Sequence, residues 1–169
     1  VIPALTEERS RPLVLAALPA SLVAGVVVVD NGSTDATAAV AAAHGARVVV
    51  EPVRGYGAAC LAGIAGANAP DVVAFVDADF SDRPEELADV LAPILEGRAD
   101  LVVGSRTLGN REPGALLPHA RFGNWLATSL IRTLFGVRFT DLGPFRAIRA
   151  DALRSLHMAD PDFGWTVEM

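Results

Sequence analysis

Strand-like runs, apolar apart from Arg47, fall at residues 26–29, 47–50, 72–76 and 101–103 of this chain. The run at 72–76 is β-branched or aromatic apart from one alanine, which predicts a strand buried on both faces, as in a parallel sheet. The segments between the runs predict helices. Residues 35–44 are alanine-rich and stop at Gly45, residues 57–68 end before Pro70, and residues 84–97 carry Glu85 and Glu86 in their first turn. Pro93 inside the third helix implies a kink or the early start of a new turn. This alternation predicts an α/β fold, a doubly wound, mostly parallel sheet with helices on both faces.

After Gly104 the pattern changes. Residues 105–120 carry Gly109, Pro113, Gly114 and Pro118 and read as a mobile loop rather than another βα unit. Residues 121–135 then predict a helix with Phe122, Trp125, Leu126, Leu130, Ile131, Leu134 and Phe135 mostly on one face. That stripe is expected in the core, the alternative being a surface that meets a lipid or an apolar acceptor. Phe139 and residues 145–148 predict short strands around a Gly143-Pro144 turn.

The length of 169 residues suits one domain able to bury its own core. Val1 looks like the tail of a strand, and residues 164–169 break off as a helix begins, so the expectation is a single domain trimmed at both ends. Hydrophobic residues make up 51% and mean hydropathy is +0.38, yet the longest charge-free stretch, 13–29, contains Pro19 and Gly25 and is a poor membrane span. It divides into a short helix, a turn and a strand. One cysteine, Cys60, rules out an internal disulfide or a thiolate zinc site and fits a reducing cytoplasm. A net charge of −6 gives no reason to expect nucleic acid as a partner. Locally the balance reverses, because eight arginines and few acids lie between Arg98 and Arg149, a half able to meet phosphate.

Asp77 and Asp79 leave the 72–76 run at its carboxyl end, where open α/β sheets bind their ligands. Spaced i, i+2, they can point the same way, and their hard oxygens suit Mg²⁺ or Mn²⁺ completed by substrate phosphates. The plainer alternative is a solvated corner. Asp30 ends another run, and Ser33 to Asp35 offer N-caps to the next helix. A carboxylate at Asp30 can accept from a base N–H while the turn passes a ribose; with Pro3, Glu7 and Asp77 at matching strand ends it forms one edge of a nucleotide pocket.

Arg54-Gly55-Tyr56-Gly57 precedes a helix, so its glycines permit close backbone approach to phosphate and Arg54 adds charge. The same spacing imitates a dinucleotide fingerprint and raises an NAD-binding oxidoreductase as a rival. Three details weigh against it: residues 51–54 separate strand from glycine, Cys60 takes the third glycine position, and a nicotinamide site has no use for Asp79. Arg106, after the 101–103 run, points into the same crevice or lies on the surface. In residues 140–146, Arg146 can grip phosphate in bidentate fashion and Asp141 can orient it or take a proton, with a structural Asp–Arg pair as the alternative. His44, His119 and His157 have no metal-like partners.

In this order the segments 2–8, 29–35, 54–57, 77–79, 104–106 and 141–146 resemble the family 2 glycosyltransferases of GT-A fold, particularly the group related to dolichyl-phosphate mannose and glucose synthases. The resemblance covers essentially the whole chain. It implies that Pro3, Leu5, Glu7 and Asp30 line the base and ribose site, that Asp77 and Asp79 hold a divalent metal on the donor diphosphate, and that Arg106 and Arg146 handle donor or acceptor phosphate. Ser33, Asp35, Arg54, Gly55, Gly57 and Ala78 complete the implied nucleotide-sugar site. The implied reaction is an inverting transfer from a UDP- or GDP-linked sugar, with a polyprenyl phosphate as leading acceptor and Asp141 or Glu168 as base where the acceptor is a hydroxyl. A lipid acceptor extends the cytoplasmic location to the cytoplasmic face of a membrane. Two positions depart from the family pattern: Thr6 stands where asparagine is usual, and Phe80 where a polar residue is frequent. A sugar nucleotidyltransferase and a non-catalytic nucleotide-sugar-binding domain remain as alternatives.

Overall fold

The computed structural model describes residues 1–105 and 118–169, the side chains of 118–122 excepted. Strands β1 (Ile2–Ala4), β2 (Val27–Asp30) and β3 (Arg47–Val50) pair in parallel, in the order β1-β2-β3. Strands β4 (Val72–Phe75), β5 (Leu101–Val103) and β6 (Arg146–Arg149) form a second ladder with β6 in the middle, antiparallel to both neighbours. Val1 joins the two ladders. Its amino group donates to the Ala74 carbonyl (2.7 Å) and its carbonyl accepts from Val76 N–H (3.2 Å), the pattern of a parallel pair. The carboxyl ends of β1 to β5 therefore share one rim with the start of β6.

Helices α1 (Arg11–Ala17), α2 (Thr37–Ala43), α3 (Tyr56–Gly66) and α4 (Leu87–Leu95) fall in the intervals between strands. Pro93 is accommodated inside α4, and a 3-10 turn at Pro84–Glu86 precedes that helix. The core is built from Val28, Phe75, Leu87, Ile148 and their neighbours, all nearly solvent-free. Each such side chain contributes roughly 1.5–3 kcal/mol of burial. A second cluster joins Cys60 and Phe75 to Trp165 of α7 (Trp165–Glu168), and α6 (Ala150–Leu156) follows β6.

The strand expected at Phe139 is absent. The expected 105–120 loop lies mostly outside the described residues, and α5 (Pro118–Phe135) begins before its end. The larger correction concerns the apolar face of α5. Trp125, Leu130, Leu134 and Phe135 are 51–74% exposed, so the stripe is a surface and not core. Its periodicity is real, but among the described residues no apolar layer covers it.

Candidate functional site

The in-register partners Ala4, Asp30 and Val50 bring the loops after β1 and β2 side by side. Hydrogen bonds then lace them: Thr6 N–H donates to Ser33 Oγ (3.0 Å), Glu7 N–H to Thr37 Oγ1 (2.8 Å) and Glu8 N–H to Asp35 Oδ2 (3.1 Å). Ser33 and Asp35 are thus part of the loop framework, and Asp30 Oδ1 accepts from Ser33 N–H (2.9 Å) to close a tight turn. Pro3 is buried beneath this rim while Leu5 is exposed on it and Glu7 half-buried. Thr6 sits at φ 59°, in the left-handed region that a β-branched residue tolerates poorly and asparagine tolerates well.

Buried Asn31, which sequence reasoning left without a role, joins this rim to the next loop. Its amide donates to the carbonyls of Glu51 (3.0 Å) and Val53 (2.7 Å), and its oxygen accepts from Gly55 N–H (2.9 Å). Arg54 folds back over the Asp30 turn, where its guanidinium meets the Gly32 carbonyl at 3.4 Å. Gly55 and Gly57 are required for a reason other than phosphate. A Cβ at Gly55 would collide with the Pro161 carbonyl and one at Gly57 with the backbone of Asp160 and Pro161, and Ala58 N–H donates to the Pro161 carbonyl (2.8 Å). The chain's own backbone packs against both glycines, which weighs further against the oxidoreductase rival.

Asp77 and Asp79 stand at the end of β4 as expected, half-buried and exposed respectively, with Ala78 buried between them. Two hydrogen bonds and one strained residue shape this corner. Asp82 Oδ2 accepts from Asp77 N–H (3.1 Å), Asp79 Oδ1 accepts from Ser81 N–H (2.9 Å), and Phe80 takes a left-handed φ of 64°. Tyr56 donates its hydroxyl to Asp77 Oδ1 at 3.1 Å. Burial, then the Asp77 charge, pushes the Tyr56 phenol far up, so it remains a donor. Its ring is held by Phe163 and Trp165 at 6.3 and 6.0 Å. Burial followed by Asp77 also pushes the Cys60 thiol up to about 12, leaving it an inert core residue. Among the described residues no group of three or more His, Cys, Asp or Glu forms a metal cage. Two carboxylates at an open corner suit Mg²⁺ or Mn²⁺, ions that take further ligands from water and phosphate.

Arg146 enters the same rim from β6, opposite Phe75 and Val103, but it does not face a ligand. It is 1% exposed and donates to the carbonyls of Leu142, Gly143 and Thr166, with its cation 6.0 Å from the Trp165 ring centroid. Its expected grip on phosphate is corrected to a structural one: the guanidinium fork is engaged by the turn before β6 and by α7. Asp141 is likewise buried, and its Oδ1 accepts from Leu142 N–H (2.8 Å). Glu168 accepts from the N–H groups of Ala159 and Asp160 at 2.9–3.1 Å, which fixes the segment packed on Gly55 and Gly57. Arg106 lies outside the described residues. A cavity of about 500 Å³ lined by Leu18, Leu22, Val27 and Leu91 sits at the opposite, amino ends of the strands and touches none of these groups.

Comparison with known proteins gives this rim a context. An uncharacterized glycosyltransferase of Mycobacterium tuberculosis is 43% identical over 171 residues, covering all of this chain and 75% of the relative. An undecaprenyl-phosphate mannosyltransferase of Micrococcus luteus is 34% identical over 189 residues, covering all of this chain and 74% of that protein. The crystal structure of glucosyl-3-phosphoglycerate synthase from Mycobacterium tuberculosis, in complex with Mn²⁺, UDP-glucose and phosphoglyceric acid, superposes with a TM-score of 0.74 at 28% identity. That match covers 98% of this chain but 61% of the solved one, so the chain spans about three fifths of that structure's length. The family model described as glycosyl transferase family 2 matches residues 1–156, and with a carboxylate-edged GT-A sheet beneath that match the chain belongs to glycosyl transferase family 2.

Proposed function

We propose that this chain carries the donor site of a metal-dependent, inverting glycosyltransferase that moves a sugar from a UDP- or GDP-linked donor to a polyprenyl phosphate. The observation that carries the reading is the shared rim: Asp30 and Glu7 at one end, Asp77 and Asp79 at the other, on the carboxyl ends of strands in one sheet. In this reading Asp30 accepts from a base N–H, Leu5 and Glu7 border base and ribose, and Arg54 adds positive charge beside the turn. Asp77 and Asp79 hold Mg²⁺ or Mn²⁺, which when bound stabilises the negative charge developing on the departing diphosphate. Tyr56 orients Asp77 from behind. An acceptor oxygen attacks the anomeric carbon from the face opposite the diphosphate, forming the new C–O bond as the old one breaks.

Two observations favour a phosphate acceptor over a hydroxyl. Both candidate bases are engaged in the fold, Asp141 by burial and Glu168 by backbone N–H groups. An acceptor phosphate is already anionic and needs no proton removed. The exposed apolar face of α5, with Arg132 and Arg138 exposed beside it, suits a lipid chain carrying a phosphate. Among the described residues no helix is long and apolar enough to cross a membrane. A water-soluble phosphorylated acid is the second reading, supported by the phosphoglyceric acid in the solved relative.

The test is label transfer from a panel of UDP- and GDP-sugars, with Mn²⁺, to polyprenyl phosphate in detergent and to phosphoglyceric acid in buffer. Mn²⁺-dependent label in the organic phase is expected. Label found only in the aqueous product would overturn the lipid acceptor, and failure of any UDP or GDP compound to bind would overturn the donor site.

A further inference from the structure

Arg11, the first residue of α1, is fully buried, and among the described residues none of its three guanidinium nitrogens has a hydrogen-bond partner. A guanidinium offers five donors and does not shed its charge, so a dry, unpaired one is costly unless neighbouring groups require the charge. The loop it is tied to, through its own N–H on the Glu7 carbonyl, carries acids. Burial pushes the Arg11 pKa down, and the fields of Asp30, then Asp35 and Glu7, pull it back.

The backbone explains how the side chain is trapped there. Arg11 N–H donates to the Glu7 carbonyl (3.1 Å), while Glu7 N–H donates to Thr37 Oγ1 (2.8 Å), itself fully buried at the start of α2. Arg11 is therefore sealed where α1 meets the loops after β1 and β2. Those loops carry four carboxylates, Glu7, Glu8, Asp30 and Asp35, whose mutual repulsion opposes the laced arrangement described above. Arg54 supplies an exposed positive charge at the Asp30 turn; Arg11 supplies a buried one.

We propose that Arg11 is a positioning residue for nucleobase recognition, a buried countercharge that keeps Glu7, Asp30 and Asp35 gathered and Asp30 aimed at the base of a nucleoside diphosphate. The proposal rests on the reading of this rim as the nucleotide site. It separates Arg11 from a merely structural cation, because exchanging a dry, unpaired charge for an apolar side chain of similar length relieves a structural cost but leaves the acid cluster without its countercharge.

The experiment compares wild type with Arg11→Met, Arg11→Gln and Arg11→Lys by calorimetric titration of UDP, GDP and inorganic pyrophosphate, each with Mn²⁺, alongside thermal melts. The nucleotide that wild type prefers should bind Arg11→Met about tenfold more weakly, the scale of an outer-shell orienting residue. Pyrophosphate, which meets only the Asp77 and Asp79 end, should bind equally, Tm should not fall, and lysine should recover part of the loss. If methionine prevents folding, glutamine supplies the same comparison. Nucleotide affinity unchanged in the neutral variant, or pyrophosphate weakened in step with nucleotide, would sink the proposal. Wild type that binds neither UDP nor GDP would instead remove the nucleotide site, and this proposal with it; wild-type binding with indifferent variants removes only the role of Arg11.

Discussion

Strand β2 and helix α5 both carry strong apolar patterns, yet β2 buries its pattern and α5 displays it. Val28 and Val29 are 0% exposed, whereas Leu134 is 70% and Phe135 74% exposed. Neighbours make the difference. β2 lies between two parallel strands with helices over its faces, and its final residue, Asp30, becomes a fixed point on the rim. α5 is tied near its middle, where the Asn124 amide meets the Thr140 carbonyl (3.3 Å) and its oxygen accepts from Leu142 N–H (3.1 Å). Periodicity decides which face of a helix is apolar; only a packed partner decides whether that face is interior. In the proposed enzyme this contrast divides the work, with a rigid sheet rim for the donor and an apolar face for the acceptor.

The comparison breaks most severely at the rim's metal end. Asp77→Ala or Asp79→Ala, or chelation of the metal, should lower Mn²⁺-dependent nucleotide binding about a hundredfold or more. The melting temperature should barely move for Asp79→Ala, and calorimetry with thermal melts reads both. Arg146→Met tests the opposite behaviour, a stability role without ligand contact. Leaving buried carbonyls unpaired should cost about 3 kcal/mol, or roughly 6–12 °C in Tm for a chain of this size. A variant that melts like wild type but loses phosphate binding would restore Arg146 as a ligand.

Tyr56→Phe removes the hydroxyl held by Asp77 and keeps the aromatic packing. About tenfold weaker metal-dependent nucleotide binding is expected, with no more than ~1 kcal/mol lost in stability. On α5, Leu130→Ser and Leu134→Ser should change stability by no more than about 0.5 kcal/mol because the side chains are already exposed. Both should leave nucleotide affinity unchanged while reducing label transfer to polyprenyl phosphate. Large destabilisation would mean that the face is core after all. The smallest effect is a gain: Thr6→Asn relieves a β-branched residue at positive φ and should add about 0.5–1 kcal/mol, read as a small rise in Tm.

The rim at the carboxyl ends of the strands was legible in the sequence because it depends on local order. Apolar runs end where strands end, so Asp30, Asp77 and Asp79 were assigned to the carboxyl ends of strands from chain position alone, and the structure has them at those ends. Side chains whose role depends on distant segments were read less well. Asn31, Tyr56 and Asp82 carry no local signature, yet each fixes a loop or a carboxylate of the rim. The glycines of the 54–57 segment were expected to let the backbone approach phosphate; in the structure it is the backbone of residues 160–161 that packs against them.

By itself, then, the sequence determined the α/β class, the order of the loops along the rim and the carboxylates they carry, because strand burial and turn chemistry act over a few residues. Only the tertiary structure decided that β6 runs reversed between β4 and β5, that Arg146 and Glu168 serve carbonyls and N–H groups of their own fold, and that Arg11 is buried while Leu130, Leu134 and Phe135 of α5 are exposed. Those outcomes depend on which segments meet in space, and contacts between residues distant in sequence leave no local pattern to read.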